Sequence, residues 1–156
     1  MTDKARWLRW KLVNRNGRQT KVPLTVAGRA ASSTDSGTWS SFGEANASSA
    51  GVGMGFALGD GIGCIDLDHC FDDGNLLPWA QEIVDRCPAT FMEVSQSGEG
   101  LHIFGLLPEG GGRNIRSGGS NVEFYSVGRY MAVTGERFKN SPSKLADLSE
   151  VVASVI

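Results

Sequence analysis

The chain is short of cysteine. Among its 156 residues only Cys64, Cys70 and Cys87 occur. The number is odd and no two form a Cys-x-x-Cys pair. This argues against a disulfide framework or a structural zinc site, and for a reducing cytoplasm. Long apolar runs are missing as well. No stretch of 18 or more apolar residues exists, so no membrane-spanning helix is expected. The first residues, MTDKARWLRWKL, lack the apolar core of a secretory signal. No internal repeat is visible. Basic residues are nearly absent from the middle of the chain: residues 31–112 hold Arg86 alone against twelve acidic side chains.

What is present is otherwise ordinary for a globular chain: 40% hydrophobic and 21% charged residues. The length suggests one compact domain with a sizeable core. The net charge of −2 is unevenly distributed. Lys4, Arg6, Arg9, Lys11, Arg15, Arg18, Lys21 and Arg29 crowd the first 30 residues, and Arg113, Arg116, Arg129, Arg137, Lys139 and Lys144 return after the acidic middle. Basic ends around an acidic centre fit a polyanion held about a cation site; a merely solvated basic face is the plain alternative.

The residue pattern predicts an α+β fold with strands dominating the middle. RWLRWKLVNRNGRQTKVPLTV reads as a hairpin turning at Asn16-Gly17. Thr38 is placed to cap a short helix, WSSFGEANASSA. GVGMGFALGDGIGCIDLDHC reads as two strands joined by Gly-Asp-Gly. Pro78 is placed to open a helix whose apolar face is Ala80, Ile83, Val84 and Cys87. TFMEVSQSGEGLHIFGLL reads as a hairpin, GGGRNIRSGGS as a loop, NVEFYSVGRYMAVTG as a strand pair turning at Val127-Gly128, and SPSKLADLSEVVASVI as helical.

Three short stretches carry chemistry. In GIGCIDLDHC, side chains two apart on a strand share a face, so Asp66 and Asp68 project together with Cys64 in line. Adjacent carboxylates repel unless a cation joins them, and hard oxygens on a rigid strand suit Mg²⁺ or Mn²⁺. A wet Asp-x-Asp beside a turn is the plain alternative. In SQSGEGLHIF, Ser97, Gly98 and Gly100 belong to a tight loop whose N–H groups suggest an anion nest, and His102 leaves it on a strand. A simple hairpin turn with a half-buried histidine is the alternative. In VEFYSVGRYMAVTG, Glu123 and Tyr125 share a strand face and Arg129 follows the turn. Glu123 would complete a two-metal site and Arg129 would meet phosphate oxygens; a surface Glu–Arg pair is the alternative.

Taken in order, these segments resemble the primase-polymerase (Prim-Pol) domain of phage and plasmid helicase-primases, a branch of the archaeo-eukaryotic primase superfamily. The resemblance rests on CIDLDHC, SQSGEGLH and VEFY, with GRQTKVP, TWSSFGEA and RYMAVTG flanking them, and covers roughly residues 7–148. It implies a small α/β unit joined to an RRM-like sheet, with the active-site cleft between them. It implies template-dependent nucleotidyl transfer by a two-metal mechanism, with Asp66, Asp68 and Glu123 as metal ligands. Ser97, His102 and Arg129 would contact the incoming triphosphate. Arg113, Arg116 and Lys21 are candidates for the single-stranded template and primer, and Trp7, Trp10 and Trp39 are either base-stacking platforms or core. The expected partners are DNA, nucleoside triphosphates and a helicase module in cis or trans, residues 1–156 forming one segment of a longer replication protein. A metal-dependent nuclease and a non-catalytic single-stranded nucleic-acid-binding module are the competing readings. A zinc-binding stem, carried by some members, has no ligand set here.

Overall fold

The computed structural model describes residues Met1–Ile156 and is built mainly of strands. In chain order the elements are β1 (Trp7–Arg15), β2 (Arg18–Leu24), α1 (Phe42–Ala47), β3 (Gly53–Ala57), β4 (Ile62–Leu67), β5 (Phe71–Asp72), β6 (Asn75–Leu76), α2 (Pro78–Arg86), β7 (Met92–Val94), β8 (Leu101–Leu106), β9 (Arg113–Ser117), β10 (Ser120–Tyr125), β11 (Tyr130–Val133) and α3 (Ser149–Val155). They form two compact units. None of the helices is long and apolar enough to cross a membrane.

One unit comprises Met1–Leu58 and Gly128–Val133. Its sheet has the order β11-β3-β1-β2. The β1–β2 hairpin turns where expected, at Asn16 and Gly17, with φ of 53° and 80°. Asn and Gly tolerate that left-handed backbone, which matches the twist of the strands. Trp7 and Trp10 are core, not base-stacking platforms. Trp7 packs edge-on against Phe42 and Phe56, and the buried Trp10 donates its indole N–H to the Met54 carbonyl at 2.8 Å. Trp39 lies under the Arg6 guanidinium, 4.4 Å from the ring centroid. Two members of the basic arm are engaged in structure. Arg6 donates to the carbonyls of Ala57 and Leu58, and Arg9 to those of Ala50 and Ala45. The helix cap falls on Ser41, not Thr38: the Ser41 hydroxyl accepts from the Glu44 N–H while the Glu44 carboxylate accepts from the Ser41 N–H. This reciprocal pair satisfies two otherwise unpartnered donors.

The other unit comprises Gly59–Val127 and Thr134–Ile156. Its main sheet is antiparallel with the order β7-β8-β4-β10-β9. One face of this sheet, formed by Ile65, Leu67, Leu101, Ile103, Val122 and Phe124, is closed by Ala80 and Ile83 of α2 and Val151 and Val152 of α3. Period-two alternation therefore leaves the opposite face to the other side chains of β8, β4 and β10.

Three expectations are corrected. Residues 113–117 are not loop but the edge strand β9, joined to β10 by a Gly118-Gly119 turn. Its polar residues give no alternation, because the strand packs little of itself. The strands β10 and β11 do not pair with each other: β10 lies between β4 and β9, and β11 pairs with β3. The strands β3 and β4 are joined at Gly59-Asp60-Gly61 as the sequence reads, and they enter different sheets. Alternation reports that a strand exists, not which strand it joins. The C-terminal helix is confined to Ser149–Val155.

Candidate active site

The face of the five-stranded sheet turned away from α2 and α3 carries a line of polar residues. Backbone register sets it. Glu93 on β7 stands opposite His102 on β8, His102 opposite Asp66 on β4, Asp66 opposite Glu123 on β10, and Glu123 opposite Asn114 on β9. Directly opposed side chains lie about 4.5–5.5 Å apart at Cβ, so one residue from each strand contributes to a continuous polar row.

Asp66 has a side chain 21% exposed, and its Oδ1 lies 3.7 Å from His102 Nε2. Glu123 accepts hydrogen bonds at Oε1 from Asn114 Nδ2 (2.9 Å) and the Tyr125 hydroxyl (3.2 Å). These two neighbours hold the carboxylate toward the row. Asp68 lies one residue beyond the end of β4, where its N–H still bonds the Asn121 carbonyl, and Asn121 Nδ2 reaches its Oδ2 at 3.4 Å. Asp66, Asp68 and Glu123 thus share one side of the sheet, two on facing strands and one at the strand end. All three offer hard oxygen donors. No three His, Cys, Asp or Glu side chains close around a single point tightly enough to enclose a metal ion by themselves.

Cys64, in line with Asp66, is wholly buried between Phe104 and Tyr125 in the register. Burial pushes its thiol pKa well up, and the nearby Asp66 and Glu93 carboxylates push it further. It is a packing residue, neither nucleophile nor ligand.

Ser97 and Gly98 are exposed in the β7–β8 connection. The loop does not present an empty anion nest. The Gly98 N–H bonds the Ser95 carbonyl, the Glu99 N–H the Ser97 hydroxyl, and the Gly100 N–H the Ser95 hydroxyl. Ser95, at the start of the turn, and Ser97, within it, close the turn on itself and engage the Gly98, Glu99 and Gly100 amides that a nest would use. What remains outward is the Ser97 hydroxyl, 3.1 Å from that of Ser95. Gly100 is required by space: a Cβ there would lie 2.9 Å from the Leu67 carbonyl.

Arg113 and Arg116 are exposed on the edge strand β9. Arg116, Asp68, His69 and Asn121 border an open depression of ≈ 480 Å³ beside the Gly118-Gly119 turn. Arg129 and Lys21 belong to the other unit, where both are exposed and Lys21 lies over the Trp10 ring. The structure therefore gathers Asp66, Asp68, Glu123, His102, Ser97, Arg113 and Arg116 in one unit, and Arg129 and Lys21 in the other.

Sequence reading missed two members of this surface. Glu93 is fully buried at the end of the row. The signal that singles out Asp66, a carboxylate inside an apolar strand, is equally present in FMEV. His69, adjacent to Asp68, holds a left-handed backbone (φ 48°) and places its ring 3.8 Å from Asp68 Oδ2 and 3.4 Å from Glu99 Oε2. Nothing in its spacing distinguishes it from a turn residue.

No family model matches the chain. Comparison with curated proteins finds a DNA primase-polymerase of Nitratiruptor phage NrS-1, 34% identical over 163 residues, an alignment covering 97% of this chain. The chain spans 21% of the length of that relative. Nearly the whole of this chain is thus a relative of one stretch of a phage DNA primase-polymerase, the kinship that the order of its Asp-x-Asp, Ser-loop-His and acidic-strand segments suggests.

Proposed function

We propose that this chain is a primase-polymerase domain that transfers nucleotides to a growing strand on a DNA template in phage or plasmid replication. One observation carries the reading. Two carboxylates, Asp66 and Glu123, face each other on central strands, with His102 on one flank and Asp68 at the strand end. Like charges directly opposed destabilise a sheet, so the arrangement favours a cation.

Asp66, Asp68 and Glu123 fit Mg²⁺ or Mn²⁺. These hard ions accept carboxylate oxygens and complete their shell with water and substrate phosphates, so a closed protein cage is not needed. When bound, divalent ions of this kind lower the pKa of an attacking hydroxyl and neutralise charge on a departing phosphate. The chain's own residues then provide position. Asp66 and Glu123 orient through His102 on one side and through Asn114 and Tyr125 on the other. His102 and the Ser97 hydroxyl offer donors to triphosphate oxygens, where charge grows during transfer. Arg129 is a further phosphate contact in this reading. Arg113, Arg116 and Lys21, with the rest of the exposed basic arm, bind template and primer through their phosphates. A helicase module is the expected companion.

Priming and primer-extension assays with labelled nucleotides, run with Mg²⁺ and with Mn²⁺, test the reading. Incorporation complementary to the template is expected. Degradation of the DNA without incorporation would favour a nuclease. Binding without either reaction under both ions would favour a non-catalytic module.

A further inference from the structure

The buried carboxylate of Glu93 has no place in the scheme above, yet its surroundings are specific. It is 0% exposed. Burying a charge costs several kcal/mol unless donors surround it. Here they do. Oε1 accepts from the Thr134 N–H and Oε2 from the Gly135 N–H, each at 3.0 Å. Those amides belong to a segment clamped along β7: the Thr134 hydroxyl donates to the Val94 carbonyl, the Val94 N–H to the Glu136 carbonyl and the Phe138 N–H to the Met92 carbonyl. The carboxylate is therefore fixed from behind by backbone. Its free side faces the imidazole of His102, with Nδ1 at 3.7 Å from Oε1.

The His102 ring is 7% exposed, and its Nδ1 is buried with no hydrogen-bond partner at this spacing. Glu93 Oε1 is the acceptor that faces it. A carboxylate has only acceptors to offer. A bare nitrogen lone pair is repelled by either carboxylate, and Asp66 faces Nε2 at the same 3.7 Å. The conflict is worse at Nδ1, because Glu93 is 0% exposed while Asp66 is 21% exposed and open to water, so an N–H is favoured at Nδ1. A shift of under about 1 Å turns the contact into a charge-assisted hydrogen bond of ordinary length, and such bonds commonly tighten when substrate binds. Nε2 is then the nitrogen turned to Asp66.

We propose that Glu93 is a positioning residue for His102. It holds a proton on Nδ1 and fixes the ring so that Nε2 is turned to Asp66 and, when that nitrogen also carries a proton, to the phosphates of an incoming nucleoside triphosphate. The role in transfer rests on the primase-polymerase reading; the pairing of Glu93 with His102 does not. Partners that orient a functional histidine through its second nitrogen are a general device, and their loss costs roughly 10–100-fold in activity or affinity at metal sites. Glutamine is a poor substitute for Glu93. Its NH₂ would oppose either the Thr134 or the Gly135 N–H, or turn a donor toward His102.

Two measurements decide the matter. The first is ¹⁵N-resolved NMR of the imidazole nitrogens in the wild-type domain, which has only two histidines. A proton on Nδ1 of His102 is expected; a bare Nδ1 with the proton on Nε2 overturns the proposal. This readout needs neither catalysis nor a variant that folds. The second is a double-mutant cycle on nucleotide transfer. Glu93→Gln is expected to slow transfer about 10–100-fold in the wild-type background and less than about twofold in a His102→Ala background, because the two residues act as one unit. Equal losses in both backgrounds, or no loss in the first, overturn it. If the wild-type domain transfers no nucleotide under either ion, the functional reading falls, while the NMR result still decides the pairing.

Discussion

At the scale of single residues, Asp66 carries two relationships that oppose each other. Across one strand boundary it meets the Glu123 carboxylate, and across the other it meets the His102 imidazole. The first is repulsive and the second attractive, and removing the aspartate relieves one while losing the other. Replacing Asp66 and Asp68 together with alanine is therefore expected to leave the melting temperature of the metal-free domain unchanged or slightly raised. It should abolish nucleotide transfer and spare most single-stranded DNA affinity, which comes from basic side chains. Thermal melts, primer extension and fluorescence anisotropy on the same preparation check the three parts; wild-type extension by the double variant would remove Asp66 and Asp68 from the chemistry. His102→Ala should separate the ligands differently, weakening nucleotide binding more than DNA binding. Titration of each ligand measures this, and equal losses would count against a triphosphate contact.

At the scale of elements, the β8–β4–β10 core of the sheet is pinned by close approach rather than by hydrogen bonding alone. Gly105 on β8 lies against the Ala146 carbonyl and the Leu148 side chain, and an added Cβ would come within 2.5 Å of both. The segment leading into α3 packs directly on this strand: the Leu106 N–H donates to the Ala146 carbonyl, and the Leu148 N–H donates to the Leu106 carbonyl. Backbone cannot yield as a flexible side chain would. Gly105→Ala is accordingly expected to cost about 1–3 kcal/mol, the usual range for overpacking a core. A urea melt should show a lower midpoint with an unchanged slope.

For the molecule as a whole, several buried acids share one sign of perturbation. Burial pushes the Cys70 thiol up to about 12 and the Cys87 thiol up to about 11. It raises the Tyr130 phenol to about 12 and the Cys64 thiol well above the ordinary range. These groups stay neutral in the folded chain at pH values where the unfolded chain has begun to ionise them. Their contribution to stability is complete below about pH 8.5, where a free thiol starts to titrate, and is lost as pH rises toward 11 and 12. Stability should fall steeply on the alkaline side. In the folded protein at pH 8 all three thiols should resist a thiol reagent that labels them promptly in denaturant. Fast labelling without denaturant would show that the sheet opens more readily than its burial implies.

How much of this was legible beforehand depends on the range of the interaction responsible. Local rules were enough for the Asn16-Gly17 hairpin, the helix opened by Pro78 and the hairpin carrying His102, because turn chemistry, φ preference and alternation act within a few residues. Parity along a strand was likewise enough to put Asp66 and Asp68 on one side and Ile65 and Leu67 on the other. The edge strand β9 was invisible because an edge packs little and needs no apolar alternation. The separation of β10 from β11 was hidden because a turn of two residues looks the same whether the chain folds back or moves to another sheet. Above all, the pairing of Glu123 with Asp66 is not written locally: it is a register between segments distant in the chain, set by the fit of apolar side chains on the far face of the sheet. That of Glu93 with His102 lies within one hairpin, but its register depends on how the Ser95–Gly100 turn closes, which alternation alone does not fix. Sequence determined which residues carry the chemistry and which face each takes; tertiary structure alone decided which of them meet, because strand register is a property of two segments and of the core that locks them.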